Sequence, residues 1–71
     1  MIDNKLFQQR LCEAFEESGM TMEAFAELAD IPYRKILQYL DGALPKARHL
    51  KRLASTLKVS ADYLLGLSDR K

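Results

Sequence analysis

The 71-residue chain has one cysteine, three glycines, two prolines and no tryptophan. The single cysteine, Cys12, excludes an internal disulfide framework and is typical of a reducing compartment, so we expect a cytoplasmic protein. Apolar runs are only a few residues long, which predicts no membrane-spanning segment, and the start MIDNKLFQQR lacks the apolar core of a signal peptide. A domain of this size buries only about 60% of the surface that its unfolded chain exposes. A deep catalytic cleft beside the core is therefore excluded.

Residues that could carry catalysis or bind a metal do not cluster along the chain. His49 has no second histidine, cysteine or acidic residue at ligand spacing, and we interpret it as a surface residue. Cys12 has no histidine near it in a recognisable motif and is interpreted as a half-exposed helix residue. The adjacent Glu16 and Glu17 fit the charged back of a helix. We therefore expect that the protein is not an enzyme and that it binds neither a metal nor another cofactor.

Charge is nearly balanced in total, at +1, but it is unevenly distributed. Residues 1–30 hold two cations and seven acidic residues, whereas residues 31–60 hold seven cations and one acidic residue. The total taken alone argues against a nucleic-acid partner, whereas the distribution can produce a molecule with one acidic and one basic face. The alternative is that half of these charges simply solvate the backs of helices.

Two helices are predicted in the first 30 residues. Asp3 can cap the first helix, and Gly19 is expected to end it in a left-handed conformation. Thr21 can cap a second, short helix over residues 22–29. Helical spacing predicts these core-facing residues: Leu6, Phe7, Leu11, Ala14, Phe15, Phe25, Ala26 and Ala29.

A third helix is predicted over residues 32–41. The residue before a proline is pushed out of the α region, so Ile31 belongs to a break between helices. Pro32 fits the first helical turn, where its missing N–H costs nothing. Gly42 is expected to end the helix.

Two more helices complete an all-α chain of five short helices without strands. The fourth is predicted over residues 47–57, and the fifth runs from a Ser60 cap through Leu65, with Gly66 beyond it. The fourth helix is expected to turn these residues toward the core: Leu50, Leu53, Ala54 and Leu57.

Three stretches together resemble the Cro/CI-type (XRE-like) helix-turn-helix domain of phage repressors and bacterial regulators. They are SGMTMEAFAELA, DIPYRKILQYLDG and LKRLASTLKVSADYLLG, of which the last is the most specific. The resemblance covers about residues 5–66 and implies a compact lambda-repressor-like domain at 1–66, followed by a C-terminal tail at 67–71. It also implies that the partner is double-stranded DNA. The third helix would enter the major groove, and dimers would bind half-sites about one helical turn apart.

The resemblance places four residues of the third helix at base-reading positions: Tyr33, Arg34, Leu37 and Gln38. Arginine can donate two hydrogen bonds to guanine, glutamine can pair with adenine, and Leu37 and Tyr33 could meet thymine methyl groups. The alternative for Arg34 and Gln38 is simple solvation, and Tyr33 could instead brace the turn. The resemblance implies that Ile36 and Tyr39 are buried.

Phosphate contacts are expected from five residues: Thr21, Met22, Lys35, Lys46 and Arg48. Such contacts position a protein on DNA without reading its sequence. Arg10 is a weaker additional candidate. Lys51 and Arg52 are interpreted as solvating the fourth helix.

The chain departs from the family pattern at three places. Met22 stands where the family usually has a glutamine that contacts a phosphate. Phe15 and Leu40 replace an ion pair of many members, and because a joint apolar replacement is often neutral or stabilising, we predict that they touch in the core. Asp30 and Pro32 stand in the turn where glycine and a hydroxyl residue are usual.

The expected function is that of a sequence-specific DNA-binding transcription regulator of phage or bacterial type, acting as a repressor. The apolar Tyr63, Leu65 and Leu67 exceed what a short last helix can hide, which predicts a homodimer through the C-terminal helix. The ending GLSDRK resembles the start of a linker, so the chain is either a minimal Cro-like protein or a fragment of a longer repressor. The alternative function is a protein-interaction module on the same fold, antitoxin-like or accessory, with weak or no DNA binding.

Overall fold

Hydroxyl and carboxylate caps begin three of the five helices. Residues 3–71 are described by a computed structural model. In it, α1 spans Asn4–Ser18, α2 Met22–Ala29, α3 Tyr33–Leu40, α4 Ala47–Leu57 and α5 Ala61–Leu65, with no strand among these residues. The predicted five-helix, all-α fold is confirmed.

The three predicted cap residues form their capping hydrogen bonds at the starts of α1, α2 and α5. The Asp3 carboxylate accepts hydrogen bonds from the backbone N–H groups of Lys5 at 2.9 Å and Leu6 at 3.3 Å. The hydroxyls of Thr21 and Ser60 each accept from the N–H three residues later, at 3.1 and 3.0 Å. Each cap satisfies a backbone donor that the first turn of a helix cannot bond internally.

The third helix is shorter than predicted, because Pro32 lies outside it. Its ψ of 138° is extended, so Pro32 is the N-cap residue and Tyr33 is the first helical residue. The carbonyl of Pro32 still accepts from the N–H groups of Lys35 and Ile36, at 2.9 and 3.1 Å. The helix ends at Leu40, and Asp41 and Gly42 form the turn that follows.

One hydrophobic core joins all five helices. Its largest fully buried side chains come from every helix: Phe7, Phe25, Leu11, Ile36, Leu53 and Leu64. Full burial of such a side chain stabilises the fold by about 1.5–3 kcal/mol.

The apolar replacements Phe15 and Leu40 both pack, half-buried, against the core. The ring of Phe15 stacks on that of Phe25, with 5.1 Å between the ring centroids. Phe15, at one of the two positions where the family pattern leads us to expect an ion pair, therefore forms an aromatic pair here. Direct contact between Phe15 and Leu40 stays a prediction.

Residues after α5 fold back onto α1 through Arg10. Its guanidinium donates to the carbonyls of Tyr63 at 2.6 Å and Ser68 at 2.8 Å, and it pairs with Asp69 at 3.0 Å. It also lies 4.3 Å from the centroid of the Tyr63 ring. The interpretation of Arg10 as a phosphate contact is therefore wrong, because these bonds engage its mostly buried side chain.

The predicted exposure of the apolar residues near the C-terminus holds only in part. Tyr63 is 8% exposed, because Arg10 and the returning chain cover its ring. Leu65 is half-buried, whereas Leu67 is 62% exposed. Only Leu67 therefore remains as a large apolar group on this edge.

Candidate nucleic-acid interface

A three-residue turn joins α2 to α3. Asp30 ends α2 in a left-handed conformation with φ 55°, and the N–H of Ile31 bonds to the carbonyl of Ala26 at 3.1 Å. This closure resembles a Schellman motif in which aspartate takes the position usual for glycine. Ile31 is buried under the turn, and the Arg52 guanidinium donates to the Asp30 carbonyl at 3.1 Å. The angle between α2 and α3 is thus held by both apolar and polar contacts.

The helix α3 has one buried and one exposed face. Ile36 and Tyr39 lie in the core, as predicted. All four residues predicted to read bases are exposed, and so is the neighbouring Lys35. Within residues 3–71, the side chains of Arg34, Lys35 and Gln38 make no hydrogen bond or ion pair, so their donors and acceptors are free for a ligand. The exposed face consists of Tyr33, Arg34, Lys35, Leu37 and Gln38.

The N-terminus of α4 suits an anion. Its N-cap residue, Lys46, makes no side-chain capping bond, and its first turn holds no acidic residue. Both Lys46 and Arg48 are exposed. Free backbone N–H groups and two cations at one helix start together favour a phosphate.

The N-terminus of α2 suits an anion less well. The Thr21 hydroxyl oxygen already accepts from the N–H of Ala24, and the Met22 side chain packs, half-buried, against the core. Glu23 adds an acidic group in the first turn. Of the residues predicted here, only the Thr21 hydroxyl hydrogen and the first backbone N–H groups remain for a phosphate.

Sequence reasoning misplaced His49, which was predicted at the surface. The ring is 8% exposed, and its Nδ1 lies 2.6 Å from the Tyr39 hydroxyl oxygen. The two rings meet edge to face, with 5.8 Å between their centroids. A signal was present, because His49 lies four residues before Leu53 and therefore shares its face of α4.

The environment of His49 decides the direction of this hydrogen bond. Burial lowers the pKa of His49 below its ordinary value of 6.5, and nearby cations, Lys46 first, lower it further. Burial also raises the pKa of the Tyr39 hydroxyl above 10.0. At neutral pH the imidazole is therefore neutral. The Tyr39 hydroxyl has no other hydrogen-bond partner among residues 3–71, so we assign it as the donor to Nδ1, with the imidazole proton on Nε2.

Cys12 is half-buried on α1, which confirms its interpretation from sequence. Burial raises the pKa of the thiol above 9.0, and the Glu16 carboxylate raises it further. The thiol is therefore protonated at neutral pH and donates weakly to the Leu40 carbonyl at 3.5 Å. Protonation makes it a poor nucleophile.

A model of the helix-turn-helix family matches residues 13–64, a stretch that contains α2, the turn, α3 and α4 in full. The chain belongs to the helix-turn-helix family. The resemblance to Cro/CI-type domains is thereby confirmed. Domains of this helix-turn-helix family bind double-stranded DNA as regulators. Neither a curated protein nor a solved structure matches the chain.

Residues 3–71 of this helix-turn-helix domain contain neither a helix that could span a membrane nor a cluster of metal-binding side chains. No helix of residues 3–71 has the length and apolar character needed to cross a membrane. Over the same residues, no three histidine, cysteine, aspartate or glutamate side chains gather as metal ligands would.

Proposed function

We propose that this protein is a sequence-specific transcription regulator that acts as a repressor, with α3 reading the major groove. The carrying observation is the division of α3, since Ile36 and Tyr39 anchor one face while the other is exposed and free of internal bonds. A helix held this way presents its polar groups rigidly, which direct readout of base edges requires.

On this surface Arg34 donates to guanine and Gln38 pairs with adenine. Both side chains can make two hydrogen bonds to one base, which gives discrimination of about 1–3 kcal/mol against a wrong base. Tyr33 and Leu37 supply apolar surface for thymine methyl groups. The two kinds of contact alternate along the exposed face of α3.

Phosphates on either side of the groove are held by Lys35 and by the start of α4, with Lys46 and Arg48. At the start of α2, Thr21 and the backbone of Met22 make a weaker contact. The Pro32 ring cannot supply the hydroxyl contact usual in the family, so α4 carries more of the phosphate binding here.

Two copies are proposed to bind paired half-sites, with the exposed Leu67 at the contact between them. Repression then follows from occupation of an operator, in the cytoplasm of a bacterial cell. Domain 1–66 would carry this activity, with residues 67–71 as the C-terminal segment that packs on α1.

An unbiased selection of bound DNA sequences tests the proposal directly. A preferred half-site should emerge, and its affinity should fall with rising salt at a log–log slope of about −0.9 per neutralised phosphate. Absence of any enriched sequence would reject sequence-specific recognition.

Two substitutions separate reading from positioning. Arg34→Ala should relax the preference at one base position and cost about 1–3 kcal/mol, whereas Lys46→Ala should weaken all sequences alike and reduce the salt slope by about 1. Equal effects of both variants on every DNA would contradict the role of Arg34.

A second candidate function, a protein-interaction module, is favoured by a groove between α2 and α4. The groove encloses about 350 Å³, and Leu28 on its wall is 67% exposed. Around it lie Arg48, Lys51 and Arg52, with no acidic residue among the lining side chains. This combination fits an acidic helix that presents an apolar side chain.

A synthetic acidic amphipathic peptide with leucines at helical spacing probes this second function. Binding should shift the NMR signals of the groove residues and should be lost in Leu28→Gln, while DNA binding is unchanged. Equal binding of the peptide to the wild type and to Leu28→Gln would show charge attraction alone and reject a docking groove.

A further inference from the structure

The two helices of the proposed DNA surface are joined by a single polar contact. No Cα atom of α3 lies within 8 Å of a Cα atom of α4. Among residues 3–71, the bond from the Tyr39 hydroxyl to His49 Nδ1 is the one hydrogen bond between the two helices. Tyr39 projects from the buried face of α3, and His49 lies one residue after the exposed Arg48 on α4. The link therefore runs beneath the surface that faces DNA.

The backbones of α3 and α4 do not pack directly against each other, although both helices pack against α1 and α2. The pair of Tyr39 and His49 is therefore the direct polar link between the two helices. Tyr39 and His49 are both nearly fully buried, and no buried polar side-chain atom among the described residues lacks a partner. If one partner is removed, the other loses its hydrogen bond inside the protein, which is costly. The pair thus favours one relative placement of the two helices over others.

The charges that surround His49 all have the same sign. Lys46, Arg48 and Arg52 act on it from α4, and Lys35 acts on it from α3. A proton on the ring would add a buried charge among four cations and would remove the acceptor at Nδ1. His49 is also the only histidine of the chain.

We propose that His49 is a positioning residue for DNA recognition, which acts through Tyr39 to hold the base-reading face of α3 in register with the phosphate-binding start of α4. This inference rests on the proposed function, because it assigns a task to the contact between the two halves of that surface. Register between the halves governs discrimination among sequences, since base contacts need exact donor geometry while phosphate contacts tolerate small shifts. Loss of the link should therefore reduce discrimination more than non-specific affinity.

The test measures affinity for the DNA selected by the protein and for an unrelated duplex of equal length. Tyr39→Phe and His49→Phe should each lower the ratio of the two affinities by roughly threefold to tenfold, the scale of one hydrogen bond. The double variant leaves no polar group unpaired, so it should regain thermal stability without regaining discrimination. Recovery of discrimination together with stability would show a merely structural role and overturn the proposal.

A pH titration gives an independent readout. As pH falls below the folded-state pKa of His49, which NMR titration of its ring locates, discrimination by the wild type should fall because the ring takes up a proton. Non-specific affinity should hold or rise, because the protein gains a positive charge. His49→Phe should show no such change, and an identical pH profile in both proteins would contradict the proposal.

Failure of this inference can be told apart from failure of the proposed function. If the wild type at neutral pH binds both duplexes equally, the proposed function fails. If the wild type discriminates and the three variants discriminate equally well, only the role of His49 fails.

Discussion

At the scale of single residues, Arg10 and His49 make structural hydrogen bonds that their residue types alone do not predict. Arginine on a helix is usually exposed to solvent. Arg10 instead bonds to partners that lie 53, 58 and 59 residues away in the sequence. His49 lies among cations on α4, yet it bonds inward to Tyr39. Each side chain stabilises the fold because a distant part of the chain packs against it and forms a hydrogen bond with it.

Replacement of Arg10 by methionine should lower the free energy of unfolding by about 1.5–3 kcal/mol, the range for hydrogen bonds to charged groups. Methionine keeps an apolar stem but removes the guanidinium donor from the carbonyls of Tyr63 and Ser68, of which the Tyr63 carbonyl still accepts from the Gly66 N–H at 3.1 Å. Asp69→Asn is the matched control, because Asp69 is fully exposed and such ion pairs contribute about 0–1 kcal/mol. Urea unfolding measures both variants, and an equal loss in both would place the stabilisation in the ion pair instead.

Stability should decrease as the solution is acidified below pH 6.5, the ordinary pKa of histidine. Because the pKa of His49 is lowered in the folded state, the unfolded chain takes up the proton first as pH falls. The loss begins near 6.5 and levels off below the folded-state pKa. Thermal unfolding as a function of pH measures it, and His49→Phe should lack this component, since the chain has no other histidine.

At the scale of helices, the three N-termini near the proposed DNA surface differ in their suitability for phosphate. The first turns of α3 and α4 hold no acidic residue, whereas α2 carries Glu23. Met22 stands at the start of α2, where the family pattern leads us to expect a glutamine. Here α2 combines a half-buried methionine with a carboxylate, so we expect its start to hold a phosphate more weakly than the start of α4 does.

Glu23→Gln should therefore tighten binding to all DNA sequences, by about threefold to tenfold at low salt, because it removes one repulsive charge from a helix start that faces phosphate. Glu27→Gln is the control, since it makes the same charge change at the other end of α2. Fluorescence anisotropy with labelled duplexes measures both variants. An equal gain from each would indicate a general effect of net charge and would argue against α2 at the backbone.

At the scale of the whole molecule, the proposed dimer depends on a contact between two small domains. The structure spans 30 × 20 × 18 Å, so a dimer contact must use a small patch. Leu67 is a large apolar side chain at the C-terminal edge and is mostly exposed. Its removal should affect association without affecting the fold.

Leu67→Ser should lower the affinity for a DNA with two half-sites at least several-fold. It should change the free energy of unfolding of the monomer by no more than about 0.5 kcal/mol. Leu28→Ser is the control, because it removes an equally exposed leucine from α2. Sedimentation of the DNA complexes measures how many copies bind. Two bound copies with unchanged affinity in Leu67→Ser would place the dimer contact elsewhere.

Much of the fold could be predicted because its signals are local. Asp3, Thr21 and Ser60 cap the helices they precede, since a cap bonds within three residues of its own position. Gly19 and Gly66 end helices in the left-handed conformation that glycine favours. The exposed face of α3 was expected from the resemblance, which implies that Ile36 and Tyr39 are buried, and helical spacing then places the other residues on the opposite side.

The sequence by itself determined the five helices and the three side-chain caps, since these depend on neighbours along the chain. The candidate reading face came from the resemblance to a known family. Only the tertiary structure decided which polar side chains are engaged, because those partners lie far apart in sequence. Arg10 was excluded from DNA contact by residues of the C-terminal segment. His49 is buried. There its hydrogen bond with Tyr39 connects α3, the helix proposed to read bases, with α4, the helix proposed to hold phosphate.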